Sequence, residues 1–508
     1  MRWWVPFLLV LVMGGFVGYL FAVGDVARFF AALALSAIGL LLVALWYIFL
    51  TQLPWRRRLV YFGGLVLVVI GAGVGLAAST RWEGSLNGGA IPRLVWKWRP
   101  DLDARLERLE GSGGQATQPE AKAEFAQFLG PQRNGVLPSV SLDPDWSAHP
   151  PQELWRSEIG AGWSGFVVAE GRAITQEQRG KEELAACYDL VTGEPLWVHG
   201  NEARFEEAMG GDGPRATPTI HDGKVYVMGA TGILDCLELS SGSPLWSRNI
   251  FEERKFGNVM YGKACSPLIV GELVVVTGGK EPGPTLLAYD RLTGEPAWTA
   301  GDDAASYASP ILTTLGGREQ IVSLNAKTAT GHDPGTGGIL WKWVWPGEKT
   351  MPKSALVQPV GKDRLFVSAS YGMGTFLLQV AKKGDAFEVS KIWKKLQMKT
   401  KFSNVCIKDG YAYGLDEGRL ACVEVATGTR KWRGTNYGYG QNLLAGDHLL
   451  VQAERGAVAL VEATPDRFRE VARLKALRHK TWNNPALAGE YLLVRNDREA
   501  VCFRVKLR

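Results

Sequence analysis

Hydrophobic residues fall into two regimes along the 508-residue chain. Three almost unbroken apolar stretches open it, at about 3–23, 29–50 and 59–78, each near the ~20 residues that carry a helix across a hydrocarbon core. Beyond about residue 125 the apolar positions come in short alternating runs such as KVYVMGA, LVVVTGG, RLFVSAS and YAYGLDE, which is the period of half-buried strands. The pattern predicts three transmembrane α-helices over 1–80, a juxtamembrane segment and linker over 81–124, and an all-β domain over 125–508.

The first apolar stretch is too long for the core of a cleavable leader and two more follow it, so it reads as a spanning helix. Arg56, Arg57 and Arg58 lie between the second and third stretches, and the positive-inside rule puts that loop in the cytoplasm. Counting then leaves the N-terminus cytoplasmic and everything after the third span periplasmic, in a multi-pass protein of the inner membrane. The charges between the first and last spans lie in loops, which favours an anchor in the bilayer over a transport pathway. LVWKWRPDLDARLERLE reads as a short amphipathic helix and GSGGQATQPEAKAE as a flexible linker.

Within the β region one phrase recurs: CYDLVTGEPLW ending at Trp197, CLELSSGSPLW at Trp246, AYDRLTGEPAW at Trp298, GHDPGTGGILW at Trp341 and CVEVATGTRKW at Trp432, with Trp155 and Trp393 in weaker versions. A period of roughly 40–50 residues, each holding about four short strands, predicts the blades of a β-propeller. Asp189, Asp290 and Asp333 precede a turn whose backbone N–H groups a carboxylate can accept. Gly193, Gly242, Gly294, Gly337 and Gly428 supply the positive φ that the turn needs. Pro195, Pro244 and Pro296 follow at one equivalent position and mark the tryptophan strand as the outer edge of its blade. The indole is then placed to lie against the neighbouring blade. Counting gives eight four-stranded antiparallel blades, with Val471 at the marker position of the seventh and the Trp155 strand completing the eighth, so that the two ends of the chain close the ring.

Composition agrees: 61 glycines and 19 tryptophans suit repeated turns and flat packed layers. A net charge of +6 on this length implies no nucleic-acid partner. Of six cysteines, Cys187, Cys236, Cys422 and Cys502 share one repeat position, filled elsewhere by Ala288, Gly331 and Leu460. Separate blades keep them apart, and buried unpaired thiols are expected. No HExxH, GxxxxGK[ST], GxSxG or CxxC occurs, so neither a catalytic residue nor a metal ligand is assigned.

With the D/E-x-x-[ST]-G-x-x-x-W motif in hand, the region 125–508 resembles the pyrroloquinoline-quinone (PQQ) repeat family. Its two relevant branches are the quinoprotein alcohol dehydrogenases and the non-catalytic propellers similar to the lipoprotein subunit of the outer-membrane β-barrel assembly machinery. QFLGPQRNGVLP, GWSGFVVAEGRAITQEQRG and GGDGPRATPTIHDGKVYVMGATG look like bacterial membrane-anchored propellers of this group. The dehydrogenase branch would imply a PQQ held against a ring of two adjacent cysteines, a calcium on acidic and amide side chains, and an aspartate base. No two cysteines are adjacent here and no calcium-ligand cluster is evident. The resemblance therefore implies a membrane-bound interaction scaffold with a protein partner in the cell envelope and no cofactor, the alternative being a PQQ- and calcium-dependent oxidoreductase.

The starts of the innermost strands should ring the central funnel. They read Trp163, Arg215, Lys263, Tyr307, Lys353, Lys401, Tyr439 and Trp482, with Asn483 and Asn484 alongside. This basic and aromatic set suits an anionic or flat ligand or an acidic peptide; equally, strand ends at a solvated funnel need polar residues, and aromatics fill a wide axis.

Overall fold

Pro54 stands at the start of a helix, Trp55–Ser79, whose apolar run ends where Thr80 turns extended and its hydroxyl bonds the Leu76 carbonyl at 2.7 Å. The computed structural model describes residues 38–39, 54–86, 91–99, 106 and 108–508 other than 348–350. Among them this is the one helix long and apolar enough to cross a membrane, with Val60, Leu67, Val68, Ile70 and Val74 exposed along it. It holds the third expected span; the first lies outside the described residues, as does the second apart from residues 38–39. Arg56, Arg57 and Arg58 belong to its first turn and not to a loop. The segment expected to be an amphipathic helix begins as a strand: Ile91–Trp96 pairs antiparallel with Thr80–Leu86. Trp96 and Trp98 stack at 4.5 Å.

The β region is an eight-bladed propeller of four-stranded antiparallel sheets. Blades 1 to 7 span 167–201, 219–249, 268–300, 311–344, 358–395, 406–436 and 441–475, each running from the axis outward. Blade 8 takes its three inner strands from 486–504 and its outer strand, Gln152–Glu158, from the other end of the sequence, with Cys502 opposite Trp155. The ring closes as expected. Arg495 locks that seam: fully buried, it donates to Thr175 Oγ1 and the Gln176 carbonyl of blade 1 at 2.7 Å and to the Gly160 carbonyl ahead of that blade at 3.0 Å.

The repeat position shared by the cysteines lies across the sheet from the marker tryptophan: Cys187 faces Trp197, Cys236 faces Trp246 and Cys422 faces Trp432. All six thiols are buried and free, and burial raises Cys236 to about 11. In blade 7 the residue opposite Leu460 is Ala472, not Val471, because the turn there is longer and shifts the register by one.

Four marker indoles bond to the turn of the next blade. Trp155 donates to the Leu190 carbonyl (3.0 Å), Trp197 to Leu239 (2.9 Å), Trp246 to Arg291 (3.1 Å) and Trp393 to Val425 (3.1 Å), in every case the residue after the turn-opening Asp or Glu of the next blade. The ring lies on that blade's motif glycine. A Cβ on Gly193 or Gly294 would come within 2.6 Å of Trp155 or Trp246, and one on Gly242 would overlap Trp197. These glycines thus answer two demands at once, φ near +70° and a bare surface for an indole. Asp290 serves the same turn by accepting the Leu292 and Thr293 amides at 2.9 and 2.8 Å, bonds that hold its carboxyl below the usual range.

The stretch expected as a flexible linker is laid along blade 1. Ser112 and Gly113 donate to Pro195 and Leu196 on the outer strand (2.9 and 3.0 Å), and Thr117 donates to Asp189 (2.6 Å). Phe125 exchanges bonds with Val168 on the innermost strand. QFLGPQRNGVLP then plugs the axis. Ala126 accepts from Ile220, Arg133 donates to the Ser266 and Pro267 carbonyls at 3.0 Å, and Val136–Leu137 adds a parallel strand to Gln441–Ala445. Leu142 bridges Leu507. Phe125, Leu129, Leu137 and Leu142 are buried there.

Candidate functional site

With one end of the axis filled by the chain itself, the other end, where the innermost strands begin, is where the sequence places a ligand. Trp163, Lys401, Tyr439 and Trp482 do come together. Trp163 and Trp482 pack at 4.9 Å, and Phe402 lies 4.9 Å from Trp482 and 6.0 Å from Tyr439. The Lys401 ammonium sits 4.3 Å above Tyr439, 5.2 Å above Phe402 and 5.4 Å above Tyr371. Desolvation lowers its pKa, with Glu417 and Glu454 acting in the opposite sense. Lys480 lies 4.0 Å over Trp482 and 4.9 Å over Trp163.

The other funnel residues turn elsewhere. Lys263 is buried, and its ammonium is spent on Thr277 O and Oγ1 (both 2.6 Å) and Gly278 O (2.5 Å); Lys353 caps the carbonyls of Ala326 and Met351. Burial brings both lysines down to about 8. Arg215 stacks on Phe205 at 4.5 Å. Tyr307 accepts the Tyr261 amide and packs on that ring at 5.5 Å. Asn483 is a seam residue, donating across to Ser164 and Gly162 (2.8 and 3.1 Å), while Asn484 beside it is partly buried.

Carboxylates join this basic and aromatic set from outside the strand starts. Glu454 accepts Trp482 Nε1 at 2.8 Å and the Tyr439 amide at 3.1 Å; Glu417 accepts Ser370 Oγ at 2.7 Å and Tyr439 Oη at 3.3 Å. Tyr371, pushed well up by burial and then by the tyrosines and Glu417 around it, completes the mouth. Glu417, Glu454, Lys480, Tyr371 and Phe402 were missed because they lie on connecting turns, off the repeat register. The mouth can therefore stack flat groups and offers mixed charge.

A PQQ and calcium of the dehydrogenase kind do not fit this donor set. The six thiols are separate and buried, both mouth carboxylates already hold donors, and among the described residues no three His, Cys, Asp or Glu converge for a metal.

The family profile described as outer membrane protein assembly factor BamB (PQQ_2) matches residues 147–469. The BamB of Burkholderia pseudomallei is 23% identical over 365 residues, 68% of this chain and 85% of that protein. The quinohemoprotein alcohol dehydrogenase ADH IIB of Pseudomonas putida is 28% identical over 204 residues, 36% of this chain and 28% of the enzyme. The fold is shared with BamB from Moraxella catarrhalis (TM-score 0.51, 14% identity, 70% of this chain and 98% of that one). It is shared too with the quinohemoprotein alcohol dehydrogenase of Comamonas testosteroni (TM-score 0.56, 13% identity, 76% and 81%). Since the profile takes in well over half of the sequence, the chain belongs to the PQQ_2 family of BamB-like β-propellers.

Proposed function

We propose that this protein is a membrane-anchored, non-catalytic scaffold of the cell envelope, its propeller held on the periplasmic side of the inner membrane for a protein partner. The observation that carries the reading is how the axis is used: one end is filled by 125–142, and at the other Lys263, Lys353 and Asn483 are committed to main-chain oxygens. The positive cluster Arg56–Arg58 at the start of the apolar helix supports the orientation. The relatives named for outer membrane protein assembly support an assembly role.

The test is to incubate the purified chain with PQQ and calcium and to follow dye reduction with a panel of alcohols and sugars. The scaffold reading expects no bound-quinone spectrum and no turnover; either one would overturn it in favour of the oxidoreductase.

A further inference from the structure

Blade 1 shows what the outer edge of a blade can hold. Ser112 and Gly113 donate to the carbonyls of Pro195 and Leu196, the two residues before marker Trp197. Leu196 sits at a β-bulge and is only 4% exposed. A Cβ at Gly111 would collide with the Leu196 and Trp197 backbone, so the added segment must carry a small residue there. The edge thus takes main-chain donors from an added segment at its bulge, and in blade 1 the protein's own strap supplies them.

Blade 5 has the same site, which no described residue covers. Aligned on marker Trp393, Lys391 and Ile392 stand where Pro195 and Leu196 do, with Ile392 at the same bulge. Ile392 is 45% exposed and Leu396, just beyond, 62%. This outer strand, Ala386–Lys395, runs ten residues against five to seven in the other blades. It has no proline. Lys391, Lys394 and Lys395 flank the bulge and are exposed. The hairpin has also lost the D-x-x-TG turn of its neighbours, its turn being Lys383-Gly384-Asp385.

We infer that the outer edge of blade 5 binds an acidic segment of a protein partner whose backbone N–H groups donate to the Lys391 and Ile392 carbonyls at the bulge, with a small residue over Ile392 and carboxylates against Lys391, Lys394 and Lys395. Edge pairing supplies affinity through main-chain bonds, and the flanking side chains choose the sequence. Strap and site stand four blades apart, on opposite sides of the ring, so the strap's attachment leaves the edge clear. The inference names the partner chemistry of the scaffold reading and rests on it for its biological sense, but peptide binding is scored independently of dye reduction.

The probe is a fluorescent decapeptide with the strap's Glu-Gly-Ser-Gly core flanked by glutamates, titrated into the full chain in mild detergent by anisotropy. Binding should weaken at least tenfold in the Lys391→Glu/Lys394→Glu/Lys395→Glu variant, whose exposed side chains leave the fold unchanged by circular dichroism. It should weaken as much when the amides of the core Ser and second Gly are N-methylated, which keeps every charge but removes both donors. Unchanged binding of the methylated peptide would reduce the effect to charge attraction and overturn main-chain recognition of the edge. Unchanged binding by the lysine variant, or capture of short-chain phosphatidylglycerol without capture of the peptide, would overturn the site.

Discussion

Two glycines of blade 2 separate the conformational demand of the motif from its packing demand. Gly223 and Gly242 have φ of 69° and 70°. A Cβ on Gly223 meets nothing within 4 Å, whereas one on Gly242 overlaps the six-membered ring of Trp197. Gly223→Ala should therefore cost only the left-handed penalty, about 1–2 kcal/mol. Gly242→Ala adds the displaced indole. The Trp197–Leu239 bond is lost, worth about 1 kcal/mol, and a packed seam is overfilled, worth roughly 1–3 kcal/mol; with the left-handed penalty the total is about 3–6 kcal/mol. Trp197→Ala alone should cost about 3–5 kcal/mol, but once the indole is gone Gly242→Ala should fall back to the Gly223→Ala value, leaving a coupling of about 2–4 kcal/mol in the double-mutant cycle. Urea unfolding of the full chain in detergent, followed by far-UV circular dichroism, measures all four. Equal costs at the two glycines, or additivity of Gly242→Ala with Trp197→Ala, would refute the interlock.

Arg495→Leu should lower stability by roughly 3–5 kcal/mol, since it strips buried carbonyls of their donor, and should speed hydrogen exchange in Gln152–Glu158 and Glu499–Arg504 before other blades. Arg133→Ala, which removes the two plug bonds to blade 3, should cost roughly 2–3 kcal/mol and raise exchange at Val168 and Ile220; no change there would mean the plug is ornamental. Lys263 gives a pH signature: its folded pKa is about 8 against an ordinary 10.5, so between those values the unfolded chain holds more protons at this site and stability rises with pH. The rise is at most about 3 kcal/mol, and Lys263→Met should flatten that part of the stability–pH curve relative to wild type, measured by urea midpoints from pH 7.5 to 10.5.

How far these features can be read from the sequence depends on where each residue's partner lies. The Asp-turn, the edge proline and the thiol opposite the tryptophan are satisfied within one blade, by neighbours at fixed spacing, and they are legible. The register of blade 7 slipped by one because the turn after Glu462 has its own length and nothing in the apolar pattern records it. The plug is opaque for a different reason. QFLGPQRNGVLP has no strand period, and the groups it bonds, from Ser266 to Leu444, are far away in sequence. Its Gly-Pro and Asn-Gly pairs announce turns but not what they curl into. The mouth falls between: the strand starts could be counted, but the carboxylates that temper their charge, Glu417 and Glu454, sit on connections whose lengths differ from blade to blade.

The exceptions to the tryptophan rule follow from treating the motif as a relation between blades. Blade 5 has no TG turn to receive an indole, and Trp341 of blade 4 turns back into its own sheet, bonding Gln320 at 2.6 Å. That is why Gly331 replaces the cysteine or alanine of other blades, for a Cβ there would overlap the indole. Blade 8 has no covalent turn before its outer strand, because that strand comes from the other end of the sequence, and blade 7 accordingly carries Ala472 where a tryptophan would stand. Each missing mark points to a missing turn one blade onward. Blade 5, which has lost its turn, gains length, lysines and exposed aliphatics on its outer strand, while Trp393 still bonds Val425 of blade 6 and keeps that strand seated in the ring, so that its outward edge alone is offered to a partner.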